Sequence, residues 1–133
     1  MNRKSLALAA AFLPLLAGTG CATYGPTWSE ISGERYNTTI MNRRAGLIQK
    51  VDGNSAYASY PIKLDPGKHE IELGANAPGW PGGPALHTMN LTLAPCTRYY
   101  LNAQFENPVQ PNWTPVVDYS EPIAGCKVTT ASN

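Results

Sequence analysis

The sequence predicts an all-β fold, a small antiparallel β-sandwich of about seven strands. The chain of 133 residues contains 12 Gly and 12 Pro. Together these are about 18% of the chain, where about 12% is usual, and this excess favours short strands joined by turns. Apolar and polar residues alternate in several short segments, and no amphipathic helical stretch follows residue 20.

The predicted strands follow one another at spacings of about 8–15 residues, which is typical of sandwiches. Residues 65–67 are Asp-Pro-Gly, the sequence of a type II turn in which Gly supplies a positive φ. Because such turns twist poorly for a two-residue hairpin, the flanking strands join through a wider loop or belong to different sheets. Pro115 predicts that the last strand lies at a sheet edge. The predicted strands span residues 36–40, 45–51, 60–64, 68–73, 88–93, 98–105 and 113–119.

The cleanest alternation lies in residues 98–105. The odd-numbered residues from Tyr99 to Phe105 are apolar, and the even-numbered residues from Arg98 to Gln104 are polar. A strand of this kind places its apolar side chains on the core and its polar side chains on the other face.

Residues 1–20 have the features of a secretory signal peptide. Arg3 and Lys4 supply positive charge, residues 6–16 form an apolar run, and residues 17–20 are small. A helix of eleven residues covers about 17 Å, roughly half of a hydrocarbon thickness of about 30 Å, so this run is too short to span a membrane. We expect residues 1–20 to be cleaved on export.

Cys21 directly follows the small residues, and this arrangement resembles the lipobox of bacterial lipoproteins, although Gly18 stands where Leu, Val or Ile is usual. The resemblance implies cleavage before Cys21 and acylation there with fatty acids such as palmitate. It also implies a lipidated tether over residues 21–29 and a β-sandwich domain over residues 30–133. Ala22, rather than Asp, implies sorting to the periplasmic face of the outer membrane. Plain cleavage that leaves a free Cys21 is the alternative.

Two further cysteines, Cys96 and Cys126, make an even pair in an exported chain. We expect them to form an intramolecular disulfide, which would close a loop of about 30 residues and stabilise the fold by about 3–4 kcal/mol. Two free thiols, or a bridge between two molecules, are the alternatives.

Charge argues against a nucleic-acid partner. The chain has 10 Lys and Arg against 9 Asp and Glu. Loss of Arg3 and Lys4 with the signal leaves 8 against 9 in the mature protein, which has 113 residues. This balance lacks the basic field that binding to a phosphate backbone requires.

Catalytic and metal-binding motifs are missing from the sequence. His69 and His87 are the two histidines, and neither has companion ligands at the spacing of a zinc site. No Ser lies in a Gly-x-Ser-x-Gly elbow, and nothing marks a nucleophile with its base. We therefore predict no enzyme, no cofactor and no metal site.

Three aromatic residues are candidates for contact with a partner or a glycan. Trp80 lies in residues 74–84, which contain four Gly and three Pro and cannot form a regular element. Trp113 follows a second Pro-rich turn, and Tyr100 lies on the polar face of its strand. Exposed aromatic side chains can stack on sugars or fill a pocket of a partner protein. The alternative is that Trp80 folds back over the open end of the sandwich and that Trp113 belongs to the core.

Residues 62–73, Ile-Lys-Leu-Asp-Pro-Gly-Lys-His-Glu-Ile-Glu-Leu, resemble the core of PEGA-type and carboxypeptidase-regulatory-like modules. These are small sandwiches in which an apolar strand, a Pro-Gly turn and a second apolar strand follow one another, and residues 99–103 are similar to the next strand. The chain is also similar to uncharacterised proteobacterial lipoproteins that share a Pro-Cys-Thr-Arg-Tyr run and a later Trp-Thr-Pro.

These resemblances imply a non-catalytic protein of the bacterial envelope, anchored to the membrane by lipid. We expect an interaction or scaffolding module that binds an envelope protein. The alternative is a module that binds glycan or peptidoglycan through its loop aromatics.

Overall fold

Nine β-strands make up the described part of the chain, which in the computed structural model covers residues 25–56, 60–76 and 85–128. The chain is all-β there, as the sequence predicts, and its strands form two sheets consistent with a small sandwich. The strands are β1 (Ser29–Ser32), β2 (Arg43–Ala45), β3 (Leu47–Val51), β4 (Asn54–Ser55), β5 (Ile62–Leu64), β6 (Gly67–Ala75), β7 (Ala85–Leu93), β8 (Thr97–Phe105) and β9 (Trp113–Pro122).

The first sheet is built around β8. Strand β9 pairs with it along its whole length, while β1 and β2 pair with the two halves of its other edge. β5 extends this sheet beyond β1. The pairing of β1 with β8 is parallel, which departs from the predicted antiparallel sandwich, whereas β2 and β9 pair with β8 antiparallel.

The second sheet has the order β4-β3-β6-β7 and is antiparallel. Because β5 belongs to the first sheet and β6 to the second, the turn at residues 65–67 crosses from one sheet to the other. This is one of the two arrangements that the sequence left open. Gly67 has a φ of +128°, a backbone conformation that favours glycine.

The core lies between the two sheets and follows the predicted alternation. Leu101 and Ala103 are fully buried on β8, and Phe105 is 3% exposed. They face β6 residues of the other sheet, where Ile71 and Leu73 are also fully buried. Each of the Leu, Ile and Phe side chains contributes about 1.5–3 kcal/mol on burial, so these alternating residues supply much of the drive to fold.

The outer face of the first sheet is also buried in part, which alternation did not predict. The segment between β1 and β2 passes over it, and the guanidinium of Arg35 lies 5.5 Å from the ring centroid of Tyr100. The backbone N–H of Asn37 donates to the carboxylate of Asp118 at 2.8 Å. Asp118 is the extra residue where the register of β9 shifts against β8, and it also pairs with Arg43.

Two predicted boundaries need correction, and one predicted edge position is confirmed. Residues 36–40 form turns and not a strand, since backbone bonds there close locally, as from Ile40 N–H to the carbonyl of Asn37. Residues 26–29, predicted as tether, are attached to the domain, and Ser29 is fully buried in β1. Pro115 lies in β9, which pairs only with β8 among the described strands, so the predicted edge position is confirmed.

Close packing between β1 and β2 depends on two glycines. A Cβ on Gly33 would lie 1.8 Å from the carbonyl oxygen of Gly46. A Cβ on Gly46 would lie 2.5 Å from the carbonyl oxygen of Leu101. No side chain fits at either position, so these glycines allow the chain to leave β1 and return as β2 directly against β8.

Candidate functional site

The two ends of the sandwich differ in how they are held. The end at which the chain enters contains Pro26 and Trp28, whose carbonyl groups accept from Lys127 N–H at 3.0 Å and from Cys96 N–H at 2.8 Å. Cys96 and Cys126 lie there at disulfide distance, with Cα atoms 5.4 Å apart. We call this the tether end.

The opposite end is formed where β8 finishes and β9 begins. We call it the distal end and define it by residues 36–42, residues 106–112 and the start of β7 at Ala85. Nine residues of β8 separate the two ends by about 26 Å, at about 3.3 Å per residue. A ligand or partner that binds at the distal end therefore lies well away from Pro26 and Trp28.

A cavity of about 380 Å³ opens at the distal end. This volume lies near the small end of the range for ligand pockets, about 300–1,000 Å³. It lies between the first residues of β7 and the loop that joins β8 to β9. Its described lining residues are Ala85, His87, Glu106, Pro111, Asn112 and Trp113.

Trp113 forms part of the cavity wall but is only 3% exposed. Its ring packs edge-on against His87, with centroids 4.4 Å apart, and against Phe105 at 6.3 Å. The indole Nε1 is buried and has no hydrogen-bond partner among the described residues. Trp113 is therefore a core residue, the alternative given above, and not a stacking platform. Its ring is covered by the side chains of His87 and Phe105.

Tyr100 is likewise not available for stacking, since it is 3% exposed beneath Arg35. Its ring stacks on Tyr119 at 4.3 Å, and its hydroxyl donates to Glu121 Oε1 at 2.7 Å. This hydrogen bond, helped by the charge of Arg98, lowers the pKa of Glu121. Tyr100 therefore acts within the fold, and its prediction as a partner or glycan contact is corrected.

Trp80 and Cys21, the other predicted contact and the predicted lipid-attachment residue, lie outside the described residues. Among the described residues, neither predicted aromatic contact, Tyr100 or Trp113, has an exposed ring. The residues that sequence reasoning missed are His87, Glu106 and Asn112. The available signal in the sequence was the Pro-rich turn at residues 107–112, directly before Trp113.

Three exposed apolar side chains lie at the distal end, outside the lining of the cavity. Val109 is 85% exposed, Met41 81% and Leu86 53%. Single exposed apolar residues are ordinary, but several at one end of a domain favour a surface that meets a partner.

His69 occupies a second polar cluster, near the tether end of β6. Its Nδ1 lies 2.6 Å from Asp52 Oδ2, and its Nε2 lies 2.8 Å from the carbonyl oxygen of Asp65. Burial acts to lower the pKa of His69, but the bonds to Asp52 and Asp65 outweigh it and raise the pKa. Both ring nitrogens of His69 therefore have partners. The cluster links the turn at Asp52 to the turn at Asp65, and neither nitrogen is free to bind a ligand.

Within the part of the chain that the structure describes, no three His, Cys, Asp or Glu side chains lie close enough together to hold a metal ion. No helix among those residues is long and apolar enough to cross a membrane. Comparison with family models, with curated proteins and with solved structures finds no significant match.

Proposed function

We propose that the protein is a lipid-anchored component of the bacterial envelope whose β-sandwich is a non-catalytic interaction module. The anchor is proposed from the signal peptide, the lipobox-like residues before Cys21 and the export-compatible pair Cys96 and Cys126. Two or three acyl chains on Cys21 would give stable membrane binding where one would not. Ala22 supports the periplasmic face of the outer membrane as its place.

The observation that carries the proposed binding role is the position of the distal end. The chain enters the domain at Pro26 and Trp28, and the exposed apolar side chains Met41, Leu86 and Val109 lie at the other end. An anchor at Cys21 leaves about five residues before Pro26, a reach of about 17 Å. The domain would thus present its distal end away from the bilayer, toward proteins or glycans of the periplasm.

Site-specific photo-crosslinking in cells tests this role. A photoreactive residue at Met41 or Val109 is expected to crosslink one envelope partner. The matched control is Val128, which is 59% exposed close to Cys126 at the tether end and is expected to give no such product. Crosslinks from Val128 alone, or none from either distal position, would contradict the proposal.

The anchor is tested separately. Cys21→Ser is expected to abolish metabolic labelling by palmitate and to release the mature protein from the membrane fraction. Retention of label in this variant would rule out Cys21 as the acylated residue, without affecting the crosslinking result.

The PEGA-like resemblance of residues 62–73 supports the same class of function, because such modules mostly bind or scaffold. Glycan binding through exposed loop aromatics is less well supported, since Trp113 and Tyr100 are each 3% exposed. A glycan role would need a different set of contacts.

A further inference from the structure

The distal cavity presents three polar side chains that the fold does not use. Among the described residues, neither the His87 ring nitrogens, the Glu106 carboxylate nor the Asn112 carboxamide takes part in a side-chain hydrogen bond or ion pair, although all three line the cavity. The buried carboxylate of Glu30, by contrast, is bound by both Trp28 and Arg98. Side chains left unpaired around one cavity are free to bind a ligand.

The donors and acceptors of these groups indicate the ligand class. Asn112 offers two donors and an acceptor, neutral His87 offers one of each, and Glu106 offers acceptors only. An ammonium group donates only, so it would leave the donors of Asn112 and His87 unused. A hydroxyl both donates and accepts, so a ring bearing several hydroxyls uses all three side chains. Pro111 and Ala85 supply apolar walls for its C–H groups.

The size of the cavity agrees with a single ring. About 380 Å³ accommodates one pyranose and part of a neighbour, and the site lies at the end of the domain remote from the tether. We propose that the distal cavity binds one sugar ring of a neutral or acetylated glycan through His87, Glu106 and Asn112. This inference rests on the proposed role of the distal end as the binding end, and it replaces ring stacking by hydrogen bonding as the means of recognition.

The test uses the mature, lipidated protein, labelled with ¹⁵N and held in micelles of a detergent that contains no sugar. Glucose, galactose and N-acetylglucosamine are added separately, and the indole N–H signal of Trp113 reports binding at the cavity wall. A ligand of about a dozen non-hydrogen atoms is expected to bind with a Kd on the order of 1 mM at ordinary ligand efficiency. Butylammonium is added as the probe of the competing ligand class.

Two variants locate the site. Asn112→Ala is expected to weaken binding of the sugar about fivefold, the factor that corresponds to one net hydrogen bond. Glu106→Gln keeps an acceptor, so sugar binding should change by less than about threefold, whereas binding of an ammonium ligand would be lost. Asn90→Ala, the same substitution at an exposed position of β7 outside the cavity lining, is the matched control and should leave binding unchanged.

Purified peptidoglycan and purified lipopolysaccharide then distinguish the source of the sugar, by co-sedimentation of the wild type against Asn112→Ala. Absence of a Trp113 shift with every sugar, or a shift with butylammonium alone, would overturn the inference. Equal binding by wild type and Asn112→Ala would do the same. None of these results bears on crosslinking from Met41 or Val109, so the proposed function fails or stands on its own test.

Discussion

Glu30 provides the sharpest test of how the first sheet is held together. It lies on β1, is 3% exposed, and accepts from Trp28 Nε1 at 2.8 Å and from Arg98 Nε at 2.6 Å. Arg98, on the adjacent β8, also reaches Glu121 at 3.2 Å. Replacing Glu30 by Leu removes the buried carboxylate and leaves both of its donors without their acceptor.

The expected loss follows from these contacts. Breaking a fully buried ion pair by removal of one partner costs about 3–5 kcal/mol. The Arg98 side chain is 30% exposed and keeps its ion pair with Glu121. Water and this second carboxylate therefore reduce the cost of leaving the Arg98 charge without Glu30. We therefore expect Glu30→Leu to lower the free energy of unfolding by about 3 kcal/mol. The double variant Glu30→Leu with Arg98→Leu should lose only about 1–2 kcal/mol, because no charge is then stranded.

Urea unfolding followed by far-UV circular dichroism measures both changes, provided that the m-value stays constant. Lys50→Ala is the control, since its ion pair with Glu72 is exposed and should contribute less than about 1 kcal/mol. If Glu30→Leu costs less than about 1 kcal/mol, or if the double variant is the less stable of the two, the carboxylate does not clamp β1 to β8 and the reasoning fails.

Three other predictions concern single constraints. Replacement of Cys96 and Cys126 by Ala should lower the free energy of unfolding by about 3–4 kcal/mol, since their separation is 30 residues; equal urea midpoints would contradict this. Gly33→Ala should cost about 3 kcal/mol or more, because its Cβ would meet a carbonyl oxygen at 1.8 Å, whereas Gly25→Ala, with nothing within 4 Å, should be neutral. The pKa of His69 is raised above its unfolded value of 6.5, so the protonated ring stabilises the fold fully below pH 6.5. The free energy of unfolding should fall as the pH rises above 6.5 through the pKa of the folded state. His69→Gln should remove that decline, and an unchanged pH profile of thermal unfolding would refute the assignment.

Strands that alternate were predictable, because alternation reports which side chains a pleated strand buries. Residues 98–105 and 113–119 fall within β8 and β9 almost without change. Strand β1 was not predictable in this way, since Ser-Glu-Ile-Ser has a single apolar residue. Its burial comes from partners elsewhere in the chain: Arg98 for Glu30, and the carbonyl group of Ala94 for the Ser29 hydroxyl.

The same limit explains the error at Tyr100. Alternation places Tyr100 on the polar face of β8 correctly, but it assumes that this face meets water. A loop from another part of the chain covers it, with Arg35 over the ring. The cavity residues were hidden for a related reason, because His87 and Asn112 lie 25 positions apart and only the packing of β7 near β9 brings them together.

The distribution of constraints agrees with the proposed binding role of the distal end. At the tether end, Cys96 and Cys126 fix both the start of β8 and the C-terminal segment, and the backbone bonds of Pro26 and Trp28 hold the entering chain against them. Polar groups there are engaged in the fold. At the distal end, the loop that lines the cavity, residues 106–112, is held mainly by local bonds such as those of Asn107 to its own turn. Side chains at that end can therefore bind a ligand without first giving up contacts that stabilise the sandwich.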